Sequence, residues 1–103
     1  MHEPASIHFY GAKQVSFTGG KMHIELNNTA RKQFRRLNEP HRGRIAEALD
    51  LLENEPPEGN IKKLQGKDGY RVIVGDYRIL FDIDTRKERI DVFKIAPRGQ
   101  AYK

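Results

Sequence analysis

From Tyr70 to Ile83 apolar and polar positions alternate with a period of two, interrupted once at Gly75-Asp76. Tyr70, Val72 and Val74 before the break and Tyr77, Ile79, Phe81 and Ile83 after it fall on one face, and that face reads as a core. The alternation predicts two half-buried strands. A two-residue loop that starts with Gly predicts a tight hairpin, because Gly reaches the positive φ such turns need. With Gly75 and Asp76 as the loop, Val74 faces Tyr77, Ile73 faces Arg78, Val72 faces Ile79 and Arg71 faces Leu80. Arg71 and Arg78 then lie diagonally on the opposite, non-core face, within about 7–8 Å at the backbone.

The remaining pattern predicts a fold around this hairpin. Met22–Leu26 alternates His23 and Glu25 against Ile24 and Leu26, as a short strand would. Asn27-Asn28-Thr29 supplies side chains that cap free helix N–H groups. The helix that follows, to Leu37, places Ala30, Phe34 and Leu37 on one face. Pro40 suits the first turn of a second helix, with Ile45, Ala48, Leu49 and Leu52 as its apolar stripe and Pro56-Pro57 beyond its end. Ile61–Leu64 leads into the hairpin. Arg89–Ala96 reads as a third strand, alternating Ile90, Val92 and Lys94 against Asp91, Phe93 and Ile95. The order β-α-α-β-β-β predicts an α+β domain, a helical hairpin packed on a small, mainly antiparallel sheet. Residues 1–21 show no sustained period, and their glycines separate two short apolar patches. They are expected to be an N-terminal extension, either loose or an extra edge hairpin, ahead of a domain spanning 22–103.

Composition narrows the chemistry. A chain of 103 residues is one domain. Its net charge of +5 favours anionic partners. With no cysteine there is neither a disulfide framework nor a thiolate zinc site, which favours a cytoplasmic location for a domain this small. The longest apolar run, Ile79-Leu80-Phe81, is far short of a membrane span, so no membrane partner is expected. The four histidines sit at no metal-ligand spacing, no glycine-rich phosphate loop is present, and no nucleophile motif surrounds Ser6 or Ser16. Neither a metal nor a cofactor is expected. On the first helix Arg31, Lys32, Arg35 and Arg36 form a positive face without an internal acid, either a solvated surface or a docking surface for phosphates.

An enzyme built from these residues works with Arg, Lys and Tyr, and one reaction suits that set. RNA is cleaved when its own 2′-OH attacks the adjacent phosphorus. The protein need only align the groups, move protons and neutralise charge on the phosphate. Arginines offer bidentate phosphate contacts and transition-state charge stabilisation. A tyrosine stacks on a base or moves a proton. Arg71, Arg78, Arg98 and Tyr102 meet these needs if the tail returns across the hairpin's open face. Each also has a plain structural role: Arg71 solvated, Arg78 paired with Asp82, Arg98 at a strand end, Tyr102 packed on the core.

The element order, the K-L-x-G…Y-R-V…G-D-Y-R-I-L-F-D-I string and the tail I-A-P-R-G-Q-A-Y-K resemble the RelE/ParE superfamily of bacterial toxins, the RelE branch in particular. The resemblance spans Met22 to Lys103. It implies a toxin of a type II toxin–antitoxin system that cleaves mRNA on the ribosome. The implied partners are the ribosome, mRNA and a cognate antitoxin, which would hold the toxin in a hetero-oligomer. Carried over residue by residue, Arg71 matches the family's basic residue after the strand-opening tyrosine. Arg78 matches the arginine assigned to the scissile phosphate. Arg98 and Tyr102 match the C-terminal arginine and tyrosine, and Lys63 and Lys67 fit RNA-backbone contacts. Two departures stand out. Ile73 occupies the place of a second cation two residues after the first, and the chain ends at Lys103 without the C-terminal helix of some relatives. Gyrase-poisoning ParE-like members share the scaffold, so a gyrase inhibitor is the alternative reading. A degenerate homologue that only binds antitoxin or RNA is another.

Overall fold

A computed structural model describes residues 6–100. The chain runs β1 (Ser6–Tyr10), β2 (Lys13–Phe17), β3 (His23–Leu26), α1 (Asn28–Arg35), α2 (His41–Leu52), β4 (Ile61–Lys63), β5 (Tyr70–Val74), β6 (Tyr77–Asp84) and β7 (Arg89–Pro97). Five strands form one mixed sheet in the order β3-β7-β6-β5-β4. Only β3 and β7 are parallel; the other pairs are antiparallel.

Local chemistry explains the element boundaries. The Asn27 side chain accepts a hydrogen bond from the Ala30 amide at 2.8 Å, satisfying one of the donors that a helix N-terminus leaves free. Helix α1 ends at Arg35, with Arg36 as its C-cap, two residues before the expected Leu37. Pro40 sits at the N-cap of α2 rather than inside its first turn. The β5–β6 tip follows the alternation: Val74 pairs with Tyr77, Ile73 with Arg78, Val72 with Ile79 and Arg71 with Leu80, and Gly75 takes φ +59°.

Both helices cover one face of the sheet. Ala30, Leu37, Ile45, Ala48 and Leu52 join Val72, Ile79, Phe81, Ile90, Val92 and Ile95 in one buried cluster. Period two does not hold along β7. The register shifts between Leu80 and Phe81, so that Val92 pairs with Phe81 while Lys94 pairs with Leu80. Phe93 is the extra residue of this bulge. Ile90, Val92 and Ile95 therefore all reach the core, and Lys94 moves to the far face. The expected grouping of Ile95 with Asp91 and of Lys94 with Val92 is overturned by that inserted residue.

Strands β1 and β2 form a separate two-stranded antiparallel sheet. Tyr10, Val15 and Phe17 are buried in the main cluster, and the Tyr10 ring meets Tyr70 edge-on at 5.1 Å. The connection to β3 is fastened to the end of α2. Glu55 donates its amide to Gly20 O, Lys21 Nζ donates to Asn54 Oδ1, and Thr18 Oγ1 donates to Glu55 Oε2.

Candidate functional site

The face of the sheet away from the helices carries the functional candidates in cross-strand rows. Pairing of Lys62 with Arg71, Arg71 with Leu80 and Leu80 with Lys94 makes one row. Ile73, Arg78 and Ala96 make the next. This face is not simply solvated. Leu80 is fully buried and Arg78 is only 7% exposed. Neither Leu80 nor Ala96 belongs to the helix-side cluster. Arg71 and Lys94 flank Leu80 across the strands, and the aliphatic stems of long cationic side chains commonly cover apolar surface of this kind.

Beside these rows lies a cleft of about 710 Å3, lined by Lys62, Lys63, Lys67, Arg71, Arg78 and Arg98 together with Leu64, Gln65 and Gly66. Among the described residues, six cations and no carboxylate line it. In the Arg78 guanidinium, Nη1 donates to Tyr77 O at 2.9 Å and to Gly75 O at 3.3 Å. The head group is thus fixed by the backbone of the hairpin tip. Among the described residues no carboxylate lies within ion-pair distance of Arg78, so the alternative pairing with Asp82 is not formed. Arg98 reaches the cleft because its amide donates to Asp76 O at 2.8 Å, tying the end of β7 to the same tip. Lys63 Nζ donates to Lys67 O at 3.0 Å and lies 5.4 Å from the Tyr70 ring centroid.

Immediately beyond the cations the field reverses. Asp82 pairs directly with Asp91 across β6 and β7. Its carboxyl is held above its ordinary value, first by burial, then by Asp68 and Asp91, while Lys63 pulls it down. The Tyr70 hydroxyl is also raised, by burial first and then by Asp82. The cleft is the end of the sheet suited to anions.

The structure therefore brings Lys63, Lys67, Arg71, Arg78 and Arg98 together. Tyr102 lies outside the described residues. Arg31, Lys32, Arg35 and Arg36 are exposed on α1 and do not line the cleft. Arg31 lies 3.8 Å from Glu25, an acid supplied by β3. Sequence reasoning missed Lys62. Its place opposite Arg71 depends on β4, a three-residue strand too short to show a period. Ile73 is half-buried opposite Arg78 and does not line the cleft. Among the described residues no group of His, Cys, Asp or Glu converges in a way that could hold a metal ion, and no helix is long and apolar enough to cross a membrane.

Residues 24–102 match the family model described as ParE toxin of type II toxin–antitoxin system, parDE. The chain belongs to the RelE/ParE toxin superfamily. Among solved structures of the superfamily, an archaeal RelE–RelB complex from Pyrococcus horikoshii OT3 contains a chain 30% identical, with TM-score 0.66. The match covers 80% of this chain and 100% of that one. A chain of the toxin–antitoxin complex RelBE2 from Mycobacterium tuberculosis matches with TM-score 0.67 at 18% identity, over 77% of this chain and 100% of that one. The isolated RelE toxin of E. coli matches with TM-score 0.62 at 24% identity, over 79% and 90%. No match is found among curated proteins. As a RelE/ParE toxin, the chain keeps the superfamily's two helices on a sheet. The β1–β2 hairpin lies outside the stretch that the family model matches.

Proposed function

We propose that this toxin is a cytoplasmic, ribosome-dependent mRNA endonuclease that a cognate antitoxin neutralises by forming a hetero-oligomer with it. The observation that carries the reading is the cationic cleft in which Arg71, Arg78 and Arg98 meet three lysines. In the proposed reaction the 2′-oxygen attacks the adjacent phosphorus and the bond to the 5′-oxygen breaks. The products are a 2′,3′-cyclic phosphate and a 5′-hydroxyl end. One proton leaves the 2′-OH and one is delivered to the departing oxygen. Arg78, already held by two carbonyls, offers its remaining N–H groups to the phosphate without reorganising, which is how fixed donors stabilise a developing charge. Arg71 supplies a second contact and Arg98 faces the leaving oxygen. Tyr102 stacks on a base or carries a proton. Lys62, Lys63 and Lys67 hold the flanking backbone, and the α1 cations hold ribosomal RNA, contacts that weaken steeply with salt.

The antitoxin is inferred from the superfamily and from the relatives solved as RelE–RelB and RelBE complexes. Gyrase inhibition is the second reading, favoured by the match to the ParE model and by Ile73 standing where a cation would complete the phosphate site.

Induced expression followed by mapping of mRNA 5′ ends separates the two. Cuts inside translated frames that disappear in Arg78→Ala support the nuclease. Growth arrest with intact transcripts and accumulating DNA breaks overturns it in favour of gyrase.

A further inference from the structure

Tyr77 belongs to two sites at once. Its carbonyl, with that of Gly75, holds the Arg78 guanidinium on the open face. Its ring lines a second cleft, of about 260 Å3, on the helix side of the same hairpin tip. The other walls include His41 and Arg44 from the start of α2, and Gly75 and Asp76 from the tip itself. The His41 and Tyr77 rings stand 4.9 Å apart with planes tilted by 44°. Arg44 is exposed, with Nη1 3.8 Å from where a Cβ on Gly75 would be. This cleft and the cationic one lie on opposite faces of the same hairpin.

We infer that the His41–Arg44–Tyr77 cleft is a second nucleotide site, holding the RNA residue next to the dinucleotide whose phosphate sits in the Arg71–Arg78–Arg98 cleft. The inference rests on the RNA reading of that first cleft. Its volume lies below the range typical of drug-sized ligands and suits one base rather than an extended peptide. Aromatic faces beside a cation are what single-stranded nucleic acid uses, stacking on rings while the backbone tracks positive charge. The base lies against the exposed face of the His41–Tyr77 pair, Arg44 meets the phosphate that crosses the tip, and Asp76 accepts a hydrogen bond from a base edge. The turn Gly75-Asp76-Tyr77 becomes a fulcrum over which one strand bends from the open face to the helix face. An acidic protein segment would find Arg44 attractive, yet would face Asp76 and have no use for two rings.

The probe is a fluorescein-labelled oligoribonucleotide with 2′-O-methyl groups, which cannot be cut, in lengths of two and six nucleotides. Binding to the full chain is read by fluorescence anisotropy at fixed low salt. Lengthening the RNA is expected to tighten binding to the wild type. His41→Ala and Arg44→Ala each lose about tenfold on the six-nucleotide probe, the scale of one base stack or phosphate contact. They bind the two-nucleotide probe as the wild type does. Arg78→Ala weakens both lengths, which reports on the first cleft alone. Wild-type affinity of both helix variants for the long probe overturns the second site. So does an acidic peptide that binds the wild type tightly and loses affinity in Arg44→Ala while RNA does not. Unchanged binding in Arg78→Ala overturns the RNA reading of the first cleft, a failure distinct from that of the second. Circular dichroism melts confirm that the variants fold; both positions lie in the first turn of α2, and alanine suits a helix.

Discussion

Ile73→Arg tests the electrostatics of the open face. Ile73 is half-buried, pairs directly with Arg78 and follows Arg71 by two residues. Paired Cα atoms stand about 4.5–5.5 Å apart and i, i+2 neighbours about 7 Å. A new guanidinium thus lies roughly 7 Å from two others. Each repulsion is worth about 0.6 kcal/mol in water and about 2.4 kcal/mol at an effective dielectric constant of 20. Arg71 is half-buried beside the open cleft and takes the lower figure, whereas Arg78 is only 7% exposed and takes the higher, so the two contacts cost about 3 kcal/mol. Losing the half-buried isoleucine surface adds about 1 kcal/mol. Together these lower the melting temperature by roughly 16–32 °C. Raising salt from about 0.1 to 1 M shortens the screening length from about 10 to 3 Å and restores the repulsive part. Ile73→Gln, which loses the same surface without the charge, shows no such recovery. In return the phosphate gains a donor. One preorganised donor is worth about 10²–10³ in rate, so an added, unsupported one should give tenfold or more in ribosome-programmed mRNA cleavage. Salt-sensitive destabilisation with unchanged cleavage would place the reacting phosphate away from Ile73 and refute the reasoning.

Two further predictions concern stability. Asn27→Ala removes the acceptor for the Ala30 amide and should cost about 1 kcal/mol, a fall of roughly 4–8 °C in melting temperature. Asn27→Asp should retain the wild-type value, and an alanine variant that melts like the wild type would show the cap to be dispensable. Asp82→Asn should raise the melting temperature at about pH 7. The folded state holds the Asp82 proton more tightly than the unfolded chain does, because of burial and then Asp68 and Asp91. Ionised Asp82 therefore opposes folding, and that opposition fades as pH falls through the raised value. Below about pH 4, the ordinary range for an aspartate, the two proteins should melt alike; a difference persisting at about pH 3 would show that charge is not the cause.

Much of the open face is legible in the sequence because the β5–β6 pairing follows from a single local feature. Once Gly75 and Asp76 form the tip, every partner across it is fixed, and Arg71 and Arg78 fall on one face without any knowledge of tertiary contacts. What escapes the sequence depends on long-range packing. The burial of Leu80 and Arg78 reflects crowding by neighbours on β5 and β7. The switch of Lys94 to the open face depends on a bulge at Phe93, invisible to a strict period of two. Lys62 enters the cleft through a strand that exists only because β5 offers it an edge. The second cleft brings His41 of α2 against Tyr77 at the hairpin tip. These residues are distant in the chain, and no local pattern encodes their meeting.

The parallel pairing of β3 with β7 has a consequence for the order of synthesis. Strand β7 follows all the other strands out of the ribosome, yet it lies between β3 and β6. Just past its end, the Arg98 amide is fastened to the hairpin tip. Parallel pairing over such a separation closes late, because its loop entropy is lost before any contact rewards it. A nascent chain stalled before residue 89 should therefore remain protease-sensitive, and a protected one would refute this order. The cleft is then assembled only after every strand has emerged, so a partial chain still threading the exit tunnel carries no finished site.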